Sequence, residues 1–222
     1  PADDPFHAQA TPGTPLAEAD LAYIMFPSGS TGDPKGVQIG RESVVLLAEW
    51  MRGCFGLGDA PVFMNQAPFS FDLSMYEVFG TLATGGVCVL NARDRIASGA
   101  AWFERLAEAG ITVWVSTPSF AHQQLMHAGF SPEHLPSLQV FLFCGEPLPV
   151  ALARKLRMRF PSARILNTYG PTEATVATTW IEIDDALLAA PPPLPIGHAK
   201  PAAAVWVEGD ELCIAGEHVM RG

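Results

Sequence analysis

The stretch "VFLFCGEPLPVALARKLRMRFPSARILN", Val140 to Asn167, decides the architecture. Val140–Phe143 is an unbroken apolar run and reads as a buried strand. Pro149 suits the opening of a helix, and Val150–Arg159 reads as that helix. Arg164–Asn167 reads as the next strand. The same alternation extends backwards along the chain. Thr112–Val115 is a strand, and Thr117 can cap a helix whose first residue is Pro118. Ala100–Ala109 reads as a helix, Val87–Leu90 as a strand, Asp72–Ala83 as a helix and Pro61–Asn65 as a strand. Glu42–Cys54 carries apolar residues at Val44, Leu47, Ala48 and Met51, the helical period. Val37–Ile39 is a short strand, and Leu21–Phe26 reads as a buried one. Such alternation argues for an α/β fold with a mainly parallel sheet flanked by helices.

The rhythm changes after Asn167. Thr178–Ile183, Ala203–Val207 and Glu211–Ala215 read as strands separated by turns such as "EGDE". They predict the beginning of a separate small antiparallel sheet or barrel. The organisation expected is a polar, Pro-rich linker over 1–20, an α/β subdomain over 21–177 and a β-rich segment over 178–222. The run "APPPLP" at 190–195 marks a candidate boundary. Residue 1 is proline and the last residues stop at a glycine, which suggests a piece excised from a longer protein.

Composition narrows the function. The 222 residues are 49% hydrophobic and 16% charged, with a net charge of −10. That suits a globular chain with a large core and argues against bulk binding of nucleic acid or anionic membrane. Cys54, Cys88, Cys144 and Cys213 lie far apart in apolar stretches. They form neither a disulfide framework nor a zinc pattern and suit a reducing cytosol. No apolar run reaches the ~18 residues of a membrane-spanning helix. A cytoplasmic location without membrane insertion is therefore expected.

In open parallel sheets, ligands bind beyond the carboxyl ends of the strands. Four predicted strands are followed there by "NQAPFSFD", "STPS", "CGE" and "NTYGPTE". A fifth segment is "FPSGSTGDPKG", Phe26 to Gly36, just after "LAYIM". Its glycines let successive backbone N–H groups turn inward as an anion nest. Ser28, Ser30 and Thr31 add hydroxyl donors, and Lys35 adds a mobile cation suited to phosphate. The loop is neither a P-loop, since Pro34 precedes Lys35 and Gly36 follows it, nor a G-x-G-x-x-G turn. A surface loop rich in small residues is the plainer alternative.

The order of residues in "SGSTGDPKGV" resembles the phosphate-binding signature of the adenylate-forming enzymes, the superfamily of acyl-CoA synthetases, firefly luciferase and peptide-synthetase adenylation domains. Pro27 departs from it, standing where that family usually has threonine. "FDLS" (71–74), "NTYGPTEATV" (167–176), "LPIGHA" and "GDELCIAGEHVMRG" are similar to further family segments, in family order. The resemblance implies ATP bound with Ser28, Gly29, Ser30, Thr31, Gly32 and Lys35 around its phosphates. It implies adenine contacts from Gly145, Glu146, Asn167, Thr168 and Tyr169, a phosphate contact from Thr172, and magnesium held by Glu173. Thr31, Lys35 and Glu173 would serve the chemistry directly. A carboxylate such as Glu173 fits magnesium's preference for oxygen ligands, against the plainer reading of a solvated acid opening a turn. Tyr169 offers a flat ring for stacking, or is a half-buried aromatic beside Pro171.

Asp72 has two readings. It can cap the helix that follows, although Ser74 and Glu77 offer a competing capping box. In the family, an aspartate matching it pairs with the substrate's α-ammonium, which points to an amino acid. The side-chain pocket implied by the resemblance comprises Tyr76, Val115, Leu142, Cys144, Thr168, Gly170 and Val176. The run "FLFCGEPLP", with Cys144 in the pocket, most resembles the subfamily that ligates D-alanine to a carrier protein. The implied reaction makes an aminoacyl-adenylate and then passes the acyl group to a carrier protein's phosphopantetheine thiol. A ribose-binding aspartate, a hinge and a small mobile domain with a lysine would lie beyond residue 222, so the segment alone is expected to be nearly inactive. The alternatives are a peptide-synthetase adenylation domain for another small amino acid and a non-catalytic piece that keeps the fold. His122, His127 and Trp114 read as packing or surface.

Overall fold

A computed structural model describes residues 21–26 and 36–221. The chain runs β1 (Leu21–Met25), β2 (Val37–Gly40), α1 (Arg41–Cys54), β3 (Val62–Met64), α2 (Ser74–Thr84), β4 (Val87–Val89), α3 (Arg93–Ala97) and α4 (Ala100–Glu108). It continues through β5 (Val113–Ser116), α5 (Pro118–Gln124), β6 (Val140–Phe143), α6 (Val150–Arg159), β7 (Arg164–Tyr169) and a 3₁₀ turn at Thr172–Ala174. It closes with β8 (Thr179–Glu182), α7 (Asp185–Ala189), β9 (His198–Ala199), β10 (Ala203–Glu208) and β11 (Glu211–Gly216).

Seven strands form the main sheet in the order β4-β3-β5-β6-β7-β8-β9. The first five are parallel; β8 and β9 add antiparallel at the β7 side. The order reverses direction between β3 and β5. Right-handed crossovers put helices on opposite faces on the two sides of such a reversal. Accordingly, α1 and α2 pack with Phe63, Val113, Val115, Leu142 and Leu166 on one face. On the other, α4, α5 and α6 pack with Met64, Trp114, Phe141, Phe143 and Ile165. Neighbouring residues of one strand fall in different layers because strand side chains alternate faces. Trp114 is core, as its apolar setting predicts.

The strands and helices read from the pattern appear, with ends shifted by up to two residues. Thr117 accepts the Phe120 N–H as the cap of α5, with Pro118 in its first turn. Three expectations need correction. The strand at Leu21–Met25 is not buried: it pairs only with β2, and Leu21 and Ile24 are 42% and 49% exposed. An apolar run does not say how many faces are covered. Second, Thr178–Ile183 does not open a separate sheet. The chain reverses through the Thr172–Ala174 turn and lays β8 along β7, which occupies the open edge of β7 with ladder hydrogen bonds. The separate two-stranded unit is β10–β11 alone, joined across Gly209 at φ 61°. Third, Ser74 and Glu77 make no capping box. The cap of α2 is Leu73 with no side-chain bond, and Ser74 Oγ donates to the Phe71 carbonyl at 2.8 Å. The short helices α3 and α7 had no readable signal, five residues being too few for a period.

Phe141 lies fully buried in an aromatic group with Trp114, Phe130, Phe143 and Phe160, ring centroids 5.3–6.3 Å away. Phe141→Ala is expected to cost about 3–5 kcal/mol through lost burial and a residual cavity. A urea midpoint that falls at unchanged slope would show it; a shift below about 1 kcal/mol would contradict it.

Candidate active site

The reversal between β3 and β5 opens a crevice at their carboxyl ends, and the chain leaving β3 carries Asp72 to it. Asp72 sits in a turn held by Phe71 N–H to Pro68 O (2.9 Å) and Met75 N–H to Asp72 O (2.8 Å). The side chain of Thr172 and the N–H of Leu73 lie close enough to its carboxyl to lower its pKa, and Glu173 is close enough to act on its charge. Burial is the largest influence and raises the pKa of Asp72; Thr172, the Leu73 N–H and its own N–H oppose that rise, and Glu173 adds to it. A carboxyl pushed towards its neutral form beside a second acid is a place where an incoming cation gains most. Segments about a hundred residues apart thus meet, as the sequence analysis requires.

Beyond Asp72 lies a buried wall. Tyr76 on α2 donates its hydroxyl to Thr168 Oγ1 at 3.0 Å, and Thr168 donates to the Phe143 carbonyl at 2.8 Å. Cys144 Sγ lies 3.6 Å from the Val176 carbonyl oxygen. Val115 and Leu142 present the floor from β5 and β6, and all six side chains are buried. Burial, ahead of its polar neighbours, pushes the Cys144 thiol up to about 11, so it remains protonated at neutral pH and serves as packing. Burial likewise holds the Tyr76 phenol well above its ordinary value. Gly170 answers a different need: a Cβ there would stand 2.4 Å from Ala177 Cα and 2.7 Å from Thr178 N. The close approach of the chain to itself demands glycine.

On the other side of β7 is a cavity of about 290 Å³. Gly145, Glu146, Asn167, Thr168, Tyr169 and Gly170 all line it. Tyr169 is 40% exposed and presents a ring. The Asn167 amide donates to Pro195 O at 2.9 Å. The Glu146 carboxylate accepts the Ser119 N–H at 3.0 Å and the Ser119 hydroxyl, which leaves its backbone for a ligand. Pro147 and Leu148 line it too, and Pro193, Leu194 and Ile196 come from the connection before β9. The sequence analysis missed them as lining residues, because a proline-rich connection carries no period.

Glu173 stands on the 3₁₀ turn that follows β7, and the chain around it is clamped. Met220 N–H donates to Glu173 O at 2.6 Å, and Thr175 Oγ1 to His218 O at 2.6 Å. Thr178 Oγ1 lies 3.1 Å from His218 Nε2. Lys200 Nζ donates to Ala177 O at 2.6 Å and sits 5.2 Å from the centre of a Trp50 ring. Thr175 and Val176 hold left-handed backbone, φ 56° and 68°, so the turn is one that such clamps must enforce. Lys200 carried no motif, and His218, although inside the segment "GDELCIAGEHVMRG", was given no role. Burial lowers both, Lys200 to about 7 and His218 to about 4, the latter helped by Lys200.

Among the described residues no three His, Cys, Asp or Glu side chains cluster as a metal cage. Glu173 offers oxygen donors at the rim, so a hard cation there would draw its other ligands from phosphate and water, as magnesium does. Ser28, Gly29, Ser30, Thr31, Gly32 and Lys35 lie outside the described residues. Their flanks do not: Met25 pairs with Val37, and Arg221 N–H bonds Gln38 O beside the Glu173 clamp. Tyr23 of β1 is raised by burial and by Asp72.

A family model described as AMP-binding enzyme matches residues 2–222. A "D-alanine--D-alanyl carrier protein ligase" of Bacillus velezensis is 44% identical over 218 residues, covering 93% of this chain and 43% of that protein. The chain thus spans less than half the length of this relative. Among solved structures, the nonribosomal peptide synthetase FmoA3 with α-methyl-L-serine-AMP bound shares 26% identity at a TM-score of 0.84, over 97% of this chain and 26% of that one. The Vibrio cholerae adenylation domain AlmE in complex with glycyl-adenosine-5'-phosphate shares 26% identity at a TM-score of 0.78, over 93% and 41%.

The Lys200 amine titrates below its ordinary value, so between the two values the unfolded chain holds the extra proton. The cost of burying it is full below pH 7 and is relieved as pH rises. Relative to Lys200→Met, the wild type should gain stability from about pH 7 to about pH 9, by up to about 1.4 kcal/mol per pH unit. Urea unfolding at a series of pH values reads this; a pH-independent difference contradicts it.

Proposed function

This chain belongs to the AMP-binding enzyme family, and on that premise we propose that its parent protein activates an amino acid, D-alanine first of all, with ATP and transfers it to a carrier protein. The observation that carries the reading is the half-buried Asp72 carboxyl, with Thr172 and Glu173 beside it and the buried side chains of Tyr76 and Cys144 close enough to sense its charge. An α-ammonium would supply the cation that this carboxyl lacks among the described residues, and a substrate without the amine would leave a desolvated charge unpaired. Tyr76, Val115, Leu142, Cys144 and Val176 close the far side, which suits a short side chain such as a methyl group. The name of the B. velezensis relative and the small aminoacyl adenylate held by AlmE support the same size class.

The adenine would occupy the cavity against Tyr169, with the Gly145–Glu146 backbone and Asn167 at its edge. Ser28 to Lys35 would cradle the β- and γ-phosphates, Lys35 and Thr31 foremost, and Thr172 would turn from Asp72 to the α-phosphate. A substrate carboxylate oxygen then attacks the α-phosphorus as the bond to pyrophosphate breaks. Magnesium on Glu173 would offset the charge gathering on pyrophosphate. In the second step the carrier's phosphopantetheine sulfur attacks the acyl carbon and AMP leaves. Among the described residues, the side chains position and neutralise; Cys144, protonated and buried, takes no covalent part.

The complete protein should support pyrophosphate exchange with D-alanine well above that with glycine or any L-amino acid. A clear preference for an L-amino acid would place it with peptide-synthetase adenylation instead. Asp72→Ala should raise the KM for the amino acid about 100-fold or more, through the unpaired ammonium, with the KM for ATP within about threefold. Unchanged amino-acid kinetics would remove Asp72 from the role of amine anchor.

A further inference from the structure

The chain that carries Asp72 leaves β3 through Asn65, Gln66 and Ala67, and buried side chains outside the proposed chemistry fasten it there. Glu77, on α2, is fully buried. Its Oε1 accepts the Gln66 N–H at 3.3 Å, closing a span of eleven residues that contains both Asp72 and Tyr76. The Asn65 side chain donates to Ala67 O at 3.0 Å and lies close enough to Glu77 to lower its pKa against burial, while Glu77 Oε2 is buried with no hydrogen-bond partner among the described residues. The Asn65 carbonyl accepts from Asn91 Nδ2 at 2.8 Å, and Asn91 Oδ1 accepts from Trp102 Nε1 at 3.0 Å. Asn91 and Trp102 are themselves buried. One exit from the sheet is thus gripped from α2, from the connection after β4, and from α4.

We propose that Glu77 is a positioning residue for the amino-acid pocket: its buried carboxyl, closing the span to Gln66, sets where the Asp72 carboxyl stands at the mouth. The proposal rests on the reading of Asp72 as the amine anchor. Burial raises the Glu77 acid to about 8, against the hydrogen bonds that lower it, so at neutral pH it is mostly the neutral acid. Cys88 is the titratable side chain that senses it. A neutral carboxyl makes glutamine a close mimic: Glu77→Gln keeps the acceptor for the Gln66 N–H, whereas Glu77→Leu removes it at similar volume. The lever is geometric, because a displacement of about 1 Å at a reacting group costs about 100-fold in rate. Glu77 does not line the cavity proposed for adenine, which lies on the far side of β7. A loss of this anchor should therefore separate the two substrates.

The test compares wild type, Glu77→Gln, Glu77→Leu and Trp102→Phe in the complete protein. The first readout is amide hydrogen exchange over residues 65–72; the second is the kinetics of D-alanine-dependent pyrophosphate exchange. In Glu77→Leu, exchange over 65–72 should quicken at least about tenfold, with the rest of the sheet unchanged. Its KM for the amino acid should rise at least about tenfold while the KM for ATP stays within about twofold. Glu77→Gln should match wild type on both readouts. Trp102→Phe, which removes the N–H to Asn91 together with part of the buried ring, should move both in the direction of Glu77→Leu. Unchanged protection and unchanged amino-acid KM in a folded Glu77→Leu would overturn the proposal, as would an equal rise in both KM values. If Glu77→Leu does not fold, Trp102→Phe decides by the same criteria. Should wild type show no amino-acid-dependent exchange, the functional reading fails, and the protection of 65–72 alone decides whether Glu77 holds the loop.

Discussion

The approach of Thr172 and Glu173 to the Asp72 carboxyl is the contact on which the site depends. It joins the turn after β7 to the turn after β3, across β5 and β6. Neither turn is regular structure, so neither is held by a helix or strand ladder of its own. What brings them together is strand order: the sheet reverses direction between β3 and β5, and the loops leaving β3, β5, β6 and β7 all emerge on one edge. Two acids, Asp72 and Glu173, are then close enough for the second to act on the charge of the first. The strain of like charge is bearable because Asp72 is held towards its neutral form by burial, and because a cationic substrate group or a metal would relieve it.

Each acid is supported from behind by a buried polar group of the opposite habit. Behind Asp72 stands Glu77, whose carboxyl is raised by burial and fastens Gln66. Behind Glu173 stands Lys200, whose amine is lowered by burial and fastens the Ala177 carbonyl. In both cases an ionisable side chain is kept near neutrality and serves as a hydrogen-bonding strut. Such struts are costly to stability, since a satisfied but desolvated ionisable group is rarely better than an apolar one. They restrict the loops to one position, which matters where a carboxyl must meet a ligand.

Much of this was legible in the residues. Thr117 and Pro118 announce the start of α5, and the apolar quartet Val140–Phe143 announces β6, because caps and unbroken apolar runs are local signals. The grouping of Gly145, Glu146, Asn167, Thr168 and Tyr169 about one cavity could be foreseen from their place after predicted strands. Other features could not. Leu21–Met25 looks buried by composition but lies in a two-stranded ribbon. Ser74 and Glu77 have the spacing of a capping box, yet tertiary demands take both: Ser74 turns to Phe71, and Glu77 reaches back to Gln66. Gly170, read as a pocket residue, is constrained by the backbone of Ala177.

By itself the sequence determined the α/β class, the order of its strands and helices along the chain, and the kind of chemistry that its motifs can perform. Those follow from local periodicity, capping and residue order, which need no knowledge of what lies across space. Tertiary structure alone decided that β8 returns to the main sheet, that Lys200 and His218 brace the Glu173 turn, and that Glu77 stands behind Asp72. Each of these joins residues between ten and more than forty positions apart. Burial and pairing at such separations depend on the whole packed sheet, and no short window of residues encodes them.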